Sequence, residues 1–379
     1  GALTQVTGTT PQGAFQINAT GTVLGTDILG LTSGILAIGS ASGETLKGTA
    51  FNDTLQGGGG GDALFGGQGA DIFRYAAASD SPQGDVDILQ DFATGTDKLD
   101  LTAIGLSDAG AQQLSLVRSG SGTTVFATTT GGTFSLGLTT ALNGDDIIGN
   151  TKGVYLVGAG TAEQLRGTAF ADLFDGNGGA DTITGGAGAD IFRYFLASDS
   201  TPAARDVITD FQTGSDSLDF GALNATAITV TRGSTTTTIT ATTAAGALAI
   251  DLTGLVNGSD IIGAACGITL IGNPTSEALS GTPYNDTLIG GDGQDTLTGG
   301  GNADTFRFTT RSQTPNTAPD SITDFQMGID KLDLTEMAAT GVVLTKIGAL
   351  TQVTGTTPQG AFQINATGTV LGTDILGLT

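Results

Sequence analysis

ETLKGTAFNDTLQGGGGGDALFGGQGADIFR, residues 44–74, is the stretch whose reading decides the fold. Taken in nines, it places an acid at Glu44, Asp53, Asp62 and Asp71, and two positions after each acid an apolar side chain at Leu46, Leu55, Leu64 and Phe73. The register returns with Glu163, Asp172, Asp181 and Asp190 ahead of Leu165, Phe174, Ile183 and Phe192. It returns again with Glu277, Asp286, Asp295 and Asp304 ahead of Leu279, Leu288, Leu297 and Phe306. The nine-residue unit reads as a short strand that buries one side chain, then a tight turn whose glycines accept backbone angles a Cβ resists. Turns of this kind stack.

The segments GGGGGDALF (57–65), GGQGADIFR (66–74), GGAGADIFR (185–193) and GGDGQDTLT (290–298) resemble the GGxGxDxUx nonapeptide of RTX proteins. The resemblance implies a parallel β-roll in which two nonapeptides make one coil and calcium sits between turns stacked on the same side. Glu44 would then face Asp62, and Asp53 would face Asp71. Carried onto the matching positions, the implied metal ligands are Asp53, Asp62, Asp71, Asp172, Asp181, Asp190, Asp286, Asp295 and Asp304. Turn carbonyls at Gly57, Gly59, Gly66, Gly176, Gly178, Gly185, Gly290 and Gly299 are implied with them. The first turn of each copy departs from the pattern, with Glu44, Glu163 and Glu277 in place of Asp and GTA or GTP in place of GGxG, so these are weaker candidates. Calcium suits such a site, being a hard cation that takes six to eight oxygens in flexible geometry. The plainer alternative is that each Asp only closes its own turn by bonding nearby backbone. Stacked carboxylates without a cation repel, however, and there are only 13 Lys+Arg to neutralise them.

Each roll is followed by a second pattern: DILQDFATGTDKLDL (87–101), DVITDFQTGSDSLDF (206–220) and DSITDFQMGIDKLDL (320–334). It resembles the segment that caps the roll in RTX proteins, and a cap would protect an open parallel edge. Phe92, Phe211 and Phe325 are expected to plug the core. Asp87, Asp91 and Asp97 and their equivalents, Asp210 and Asp324 among them, are open between metal ligation and turn capping. Arg74, Arg193 and Arg307 are expected to pair with cap carboxylates rather than with an external anion.

The chain has 379 residues, is 38% hydrophobic, and carries a net charge of -24 from 37 Asp+Glu. Only Glu44, Glu163, Glu277 and Glu336 of those acids are Glu, a bias toward turns and cation ligands over helices. Nucleic acid is excluded as a partner by the lack of a basic face. The absence of His removes His-based zinc sites and the Ser-His-Asp constellation, and no catalytic residue is assigned, so the chain reads as no enzyme. The lone Cys266 reads as a neutral turn residue or, less readily, a reactive thiol. No apolar run approaches a membrane span, and no basic and apolar signal sequence opens the chain.

A larger period encloses the roll. Asp27, Asp146, Asp260 and Asp374 each precede an Ile-Leu or Ile-Ile pair, at spacings of 119, 114 and 114 residues. Residues 228–232, 235–242 and 247–253 read as a three-stranded meander, as do 114–118, 123–129 and 133–139, and 342–347, 350–356 and 361–367. The expected organisation is unit one over 1–110 (incomplete meander 1–32, roll 33–75, cap 85–103), unit two over 111–224 (meander 114–140, roll 153–194, cap 206–221) and unit three over 225–338 (meander 226–254, roll 267–308, cap 320–336). Residues 339–379 begin a fourth, and 348–379 repeat 1–32 letter for letter. Either a three-unit block is copied in tandem in a longer parent, or the identity is a deliberate duplication.

The expected fold is all-β: tandem parallel β-rolls joined by antiparallel meanders in an elongated repeat architecture. The expected function is that of a secreted, extracellular or cell-surface calcium-binding structural protein, exported by type I secretion as the resemblance implies. Several calcium ions and copies of itself or adjacent repeats would be its partners. The alternative is the carrier domain of a larger secreted RTX enzyme or toxin. Ice or glycan recognition is disfavoured in a chain with no Trp and 4 Tyr.

Overall fold

The computed structural model describes residues 3–10, 13–20, 23–107 and 114–378. The chain divides into two compact units, Gly1–Val157 with Gly167–Ala169, and Gly158–Arg166 with Phe170–Thr379. Among the described residues every element is a β-strand or a short 3-10 turn, so the chain is all-β.

In the first unit the nonapeptides alternate between two parallel ladders. One runs Leu36–Ile38, Thr54–Gln56, Ile72–Arg74, Lys98–Asp100 and Ile147–Ile148; the other begins Thr45–Lys47, Ala63–Phe65 and Asp87–Leu89. Partners such as Thr54↔Ile72 and Thr45↔Ala63 stand one coil of two nonapeptides apart. The nonapeptide strands Thr54–Gln56, Ala63–Phe65 and Ile72–Arg74 are three residues long and bury the middle side chain: Leu55, Leu64 and Phe73 are fully enclosed. Phe92 closes this column of side chains, its ring centroid 5.8 Å from that of Phe73, and Phe211 and Phe325 stand likewise against Phe192 and Phe306. Turns approach so closely that a Cβ at Gly67 or Gly69, both at positive φ, would strike the backbone of Thr49 or Phe51.

The closing segment differs from its expected role. It does not cover the roll edge but extends both ladders, through Asp87–Leu89 and Lys98–Asp100. The next meander then takes over the hydrogen bonding, because Gly132–Leu138 pairs in parallel with Asp87–Leu89. Gly122–Thr129 and Leu114–Ser119 follow antiparallel, and Leu114–Ser119 pairs in parallel with Val154–Val157, the strand that opens the next roll. The meander therefore carries the sheet from the closing segment of one roll to the strand that opens the next.

The second unit repeats this on a larger scale. One eleven-stranded sheet passes from Gln164–Arg166, Thr182–Thr184 and Asp206–Ile208 through the meander Gly246–Thr253, Thr236–Thr243 and Ala227–Arg232. It continues into Ile268–Ile271, Thr287–Ile289, Thr305–Arg307, Lys331–Asp333 and Ile375–Leu376. A six-stranded sheet holds Ala278–Ser280, Thr296–Thr298, Asp320–Ile322, Gly360–Thr367, Leu350–Thr357 and, at its edge, Thr340–Ile347. A further ladder joins Leu173–Asp175, Ile191–Arg193, Ser217–Asp219 and Ile261–Ile262.

Candidate metal centres

Stacking strands in register stacks the acids that precede them. Each acid accepts from the backbone amide of the acid one coil earlier: Glu44 N donates to Asp62 Oδ1 and Asp62 N to Asp87 Oδ1, both at 2.8 Å. On the opposite side Asp53 N donates to Asp71 Oδ1 at 2.8 Å and Asp71 N to Asp97 Oδ1 at 2.9 Å. The pairs Glu44–Asp62 and Asp53–Asp71 implied by the resemblance are thus neighbours. The other two rolls carry the same ladders, through Asp181 and Asp206, Asp190 and Asp216, Asp295 and Asp320, and Asp304 and Asp330.

The second carboxylate oxygen separates two kinds of acid. Asp53 Oδ2 accepts from Thr49 N at 2.5 Å and from the Thr49 hydroxyl at 3.0 Å, while its Oδ1 takes Ile35 N at 2.6 Å. Asp286 is closed in the same way by Thr282 and Ile268. Glu44 is held by Ser40, Glu163 by the Ala159 amide, and Glu277 by the Asn273 amide and Arg232. Here turn closing describes the geometry, and the threonine that replaces glycine in the first turn supplies the closing hydroxyl. At Asp62, Asp71, Asp87, Asp190, Asp206, Asp295, Asp304 and Asp320 the Oδ2 atom is buried and has no hydrogen-bond partner. Burying such an oxygen without a donor is costly, and a bound cation removes the cost.

These oxygens face glycines that leave them room. A Cβ built at Gly57, Gly66, Gly176, Gly185, Gly290 or Gly299 would fall inside 3.0 Å of Oδ2 on the Asp five residues later. The same Cβ on Gly57 would also lie 3.0 Å from Asp87 Oδ2, so Asp62 and Asp87 converge on one small space. Backbone oxygens enter from the next coil: the carbonyls of Gly57 and Gly66 crowd Gly39 and Gly48, where Glu44 and Asp53 also place an oxygen. Gly59 and Gly178 sit at turn tips, Gly59 giving its amide to Ser40 O at 2.9 Å. Among the described residues no three His, Cys, Asp or Glu side chains gather on one point. The donors are instead one or two carboxylates with backbone carbonyls, an all-oxygen set that fits a hard cation such as calcium and would not hold zinc.

Electrostatics point the same way. Burial, with neighbouring carboxylates adding to it, pushes Asp62 and Asp71 up to about 6, Asp87 and Asp190 to about 7, and Asp320 to about 8. The buried Tyr75 hydroxyl faces Asp87, and Tyr194 stands likewise at Asp206. Phe308 takes this place in the third roll. Asp87, Asp206 and Asp320 were legible only as closing-segment acids, yet they share the properties of the nonapeptide acids.

Asp91 lies elsewhere, accepting from Gly66 N at 2.8 Å and Gly67 N at 3.0 Å; Asp210 and Asp324 hold the equivalent glycine pairs. Asp91→Ala is expected to cost about 3 kcal/mol with or without calcium, since two charge-assisted bonds are lost. Denaturant melts in both conditions check this. Arg74 and Arg307 pair with Asp100 and Asp333 at 2.9 Å, as expected. Arg193 forks onto Asp175 at 2.8 and 2.9 Å, one coil back, because an acid stands there in place of Gln56 and Ile289. Cys266 is a half-buried free thiol whose pKa is raised by burial and by Asp286, which disfavours the reactive thiolate.

Parallel coils with glycine-cradled, partnerless carboxylates define a calcium-binding β-roll repeat protein. Residues 39–135, 138–267 and 280–372 match the family model described as Peptidase M10 serralysin C terminal, and the chain belongs to that family. The family is the RTX-type repeat region of serralysin peptidases and not their catalytic domain. Among solved structures, the chain is similar to the solution structure of the AlgE6R3 subunit from the Azotobacter vinelandii mannuronan C5-epimerase. The match is 32% identical over 30% of this chain and 77% of that one, with a TM-score of 0.21. A comparison with curated proteins finds no match.

Proposed function

We propose that this chain is an extracellular structural protein in which calcium drives folding and assembly into a cell-surface filament, adhesin stalk or surface layer. The observation that carries this reading is the set of buried oxygens without partners at Asp62, Asp71, Asp87, Asp190, Asp206, Asp295, Asp304 and Asp320. These acids, Asp181 and the glycine carbonyls beside them are the proposed ligands; the acids closed by Thr49, Thr282 or Ser40 contribute more weakly. Without the cation the ladder repels itself, so binding energy becomes folding energy. Extracellular modules of this chemistry bind near 10⁻⁴ to 10⁻³ M, about the level outside cells. A chain secreted unfolded would therefore stiffen on arrival. The splicing of rolls by meanders into one eleven-stranded sheet supports a load-bearing role.

The second reading, a carrier domain of a larger secreted enzyme, is favoured by the family's place at the C-terminus of peptidases. Among the described residues no helix is long and apolar enough to cross a membrane. Circular dichroism, light scattering and electron microscopy with and without millimolar calcium test the proposal. Strand signal and ordered filaments or sheets are expected only with calcium. Full strand content in chelator would sink the folding switch, and folded, monodisperse monomers in calcium would favour the carrier.

A further inference from the structure

Alternation along Ala227–Arg232, the first strand of the second meander, turns Ile228, Val230 and Arg232 to the same buried side. An arginine at the end of an apolar row needs partners there, since a buried charge without them is costly. Arg232 has four, all oxygens. Its Nε donates to Val256 O at 2.9 Å, its Nη2 to Asn257 Oδ1 at 2.6 Å, and its Nη1 to Ala278 O at 3.2 Å and Glu277 Oε1 at 3.4 Å. The Arg232 and Glu277 side chains are 3% and 5% exposed. Asn257 is itself fixed, its amide donating to Asp260 Oδ2 at 2.9 Å while its Oδ1 also takes Ser280 N at 3.1 Å. The end of the meander is thereby bonded to the first turn of the third roll.

Glu277 begins a ladder whose later members have no such partner. Glu277 N donates to Asp295 Oδ1 at 2.9 Å, and Asp295 N to Asp320 Oδ1 at 2.8 Å. The Oδ2 atoms of Asp295 and Asp320 are buried and unpaired, whereas both Glu277 oxygens are taken, Oε2 by Asn273 N at 2.5 Å and Oε1 by Arg232. The glycine cradle is nonetheless the same. A Cβ at Gly272 would lie 2.8 Å from Glu277 Oε2, and one at Gly290 would lie 2.5 Å from Asp295 Oδ2. A carboxylate, two backbone carbonyls and an amide oxygen surround the buried guanidinium, and these are the donors a hard cation takes.

We propose that Arg232 is a built-in cation that does at the first turn of the third roll what calcium does at the later turns, so that this turn is closed by the meander and not by calcium. Its removal would uncover a latent calcium site. Glu277 Oε1, Ala278 O, Val256 O and Asn257 Oδ1 would line it, with water completing the six to eight oxygens that calcium takes. A tethered charge, unlike a free ion, cannot be withdrawn when calcium falls, so ordering of the third roll by calcium has a fixed starting point beside the meander. The arginine–asparagine pair recurs in the first unit, where Arg118 Nη2 donates to Asn143 Oδ1 and, at 3.4 Å, to Leu142 O. The inference rests on the calcium reading of the later turns and extends it to the first.

Isothermal titration calorimetry and thermal melts of the full chain against calcium test it. Arg232→Ala is expected to melt below the parent in low calcium, to regain the loss as calcium rises through about 10⁻³ M, and to bind one more calcium ion per chain than the parent. Arg232→Met removes the charge but fills most of the space, so it is expected to lose stability at every calcium level and to bind no extra ion. Arg232→Ala combined with Glu277→Gln is expected to bind no extra ion either. An Arg232→Ala protein that binds only the parent's number of ions, or that stays unfolded in saturating calcium, would overturn the proposal, and so would an extra ion in the double variant. Calcium-dependent melting of the parent beside any of these results would leave the general calcium reading standing. A parent whose melting ignores calcium would overturn both.

Discussion

Stripped of calcium, the protein is expected to be more stable at pH 5 than at pH 8, and saturated with calcium it is expected to show the reverse order. The carboxylates responsible are those with a buried oxygen and no partner. Burial is the largest cause of their shift and neighbouring acids add to it, against an amide bond that pulls the other way and, at Asp87 and Asp206, the hydroxyl of Tyr75 or Tyr194. Asp62 and Asp71 rise to about 6, Asp87, Asp190, Asp206, Asp295 and Asp304 to about 7, and Asp320 to about 8. In an unfolded chain such groups titrate near 3.8. The folded, metal-free chain therefore holds these protons more tightly than the unfolded one. Their stabilising contribution is fully present below about pH 4 and is lost progressively up to about pH 8. A proton thus does in acid what the cation does at neutral pH. Calcium requires the ionised form, so its contribution fades as pH falls through the same window. Thermal melts of calcium-free protein at pH 5 and 8, repeated in excess calcium, would reveal the crossing. Equal melting temperatures in the metal-free pair would show that ionising the ladder carries no cost.

Much of this arrangement was legible because the nine-residue period is enforced by geometry. One strand residue in three is enclosed, so Leu55, Leu64 and Phe73 must be apolar, and the stacking that encloses them puts Asp53 over Asp71. The meanders were legible from alternation, and the strands Thr236–Thr243 and Leu350–Thr357 fall where that pattern puts them. Their function as splices was not, since pairing between Gly132–Leu138 and Asp87–Leu89 spans some fifty residues and leaves no local periodicity. The same limit hid the cap. A segment that ends one roll and a segment that continues a sheet need the same alternation, and only the partner tells them apart. Arg193 shows the limit for charges: its choice of Asp175 depends on a coil-to-coil neighbour, one nonapeptide pair away. Within the acids, the first-turn departure was visible as GTA or GTP, but its meaning was not. Thr49 and Thr282 look like failed glycines in sequence and act as the donors that close Asp53 and Asp286.

That distinction gives opposite outcomes for the same substitution. Asp62→Asn with Asp87→Asn removes two charges from the space beside Gly57 and leaves shape nearly unchanged. Each Asn keeps an oxygen for the amide that Asp62 Oδ1 or Asp87 Oδ1 now accepts. Its NH2 replaces an oxygen that had no donor, in a turn lined by carbonyls, so the metal-free fold loses repulsion and gains a donor there. In chelator the double variant is expected to melt at or above the parent. In calcium it should melt below, since one site of Kd about 10⁻⁴ M in 10⁻³ M calcium contributes about 1.4 kcal/mol. Asp53→Asn behaves differently, because both its oxygens already accept from Ile35 and Thr49. One of these would meet an NH2 facing an N–H donor, at a cost of about 1–3 kcal/mol, present in calcium and in chelator alike. Melting temperatures of the two variants in both conditions decide the matter. If Asp53→Asn were the calcium-dependent one, or if both variants lost the same stability in chelator, the division of the acids into cation-binding and turn-closing groups would fall.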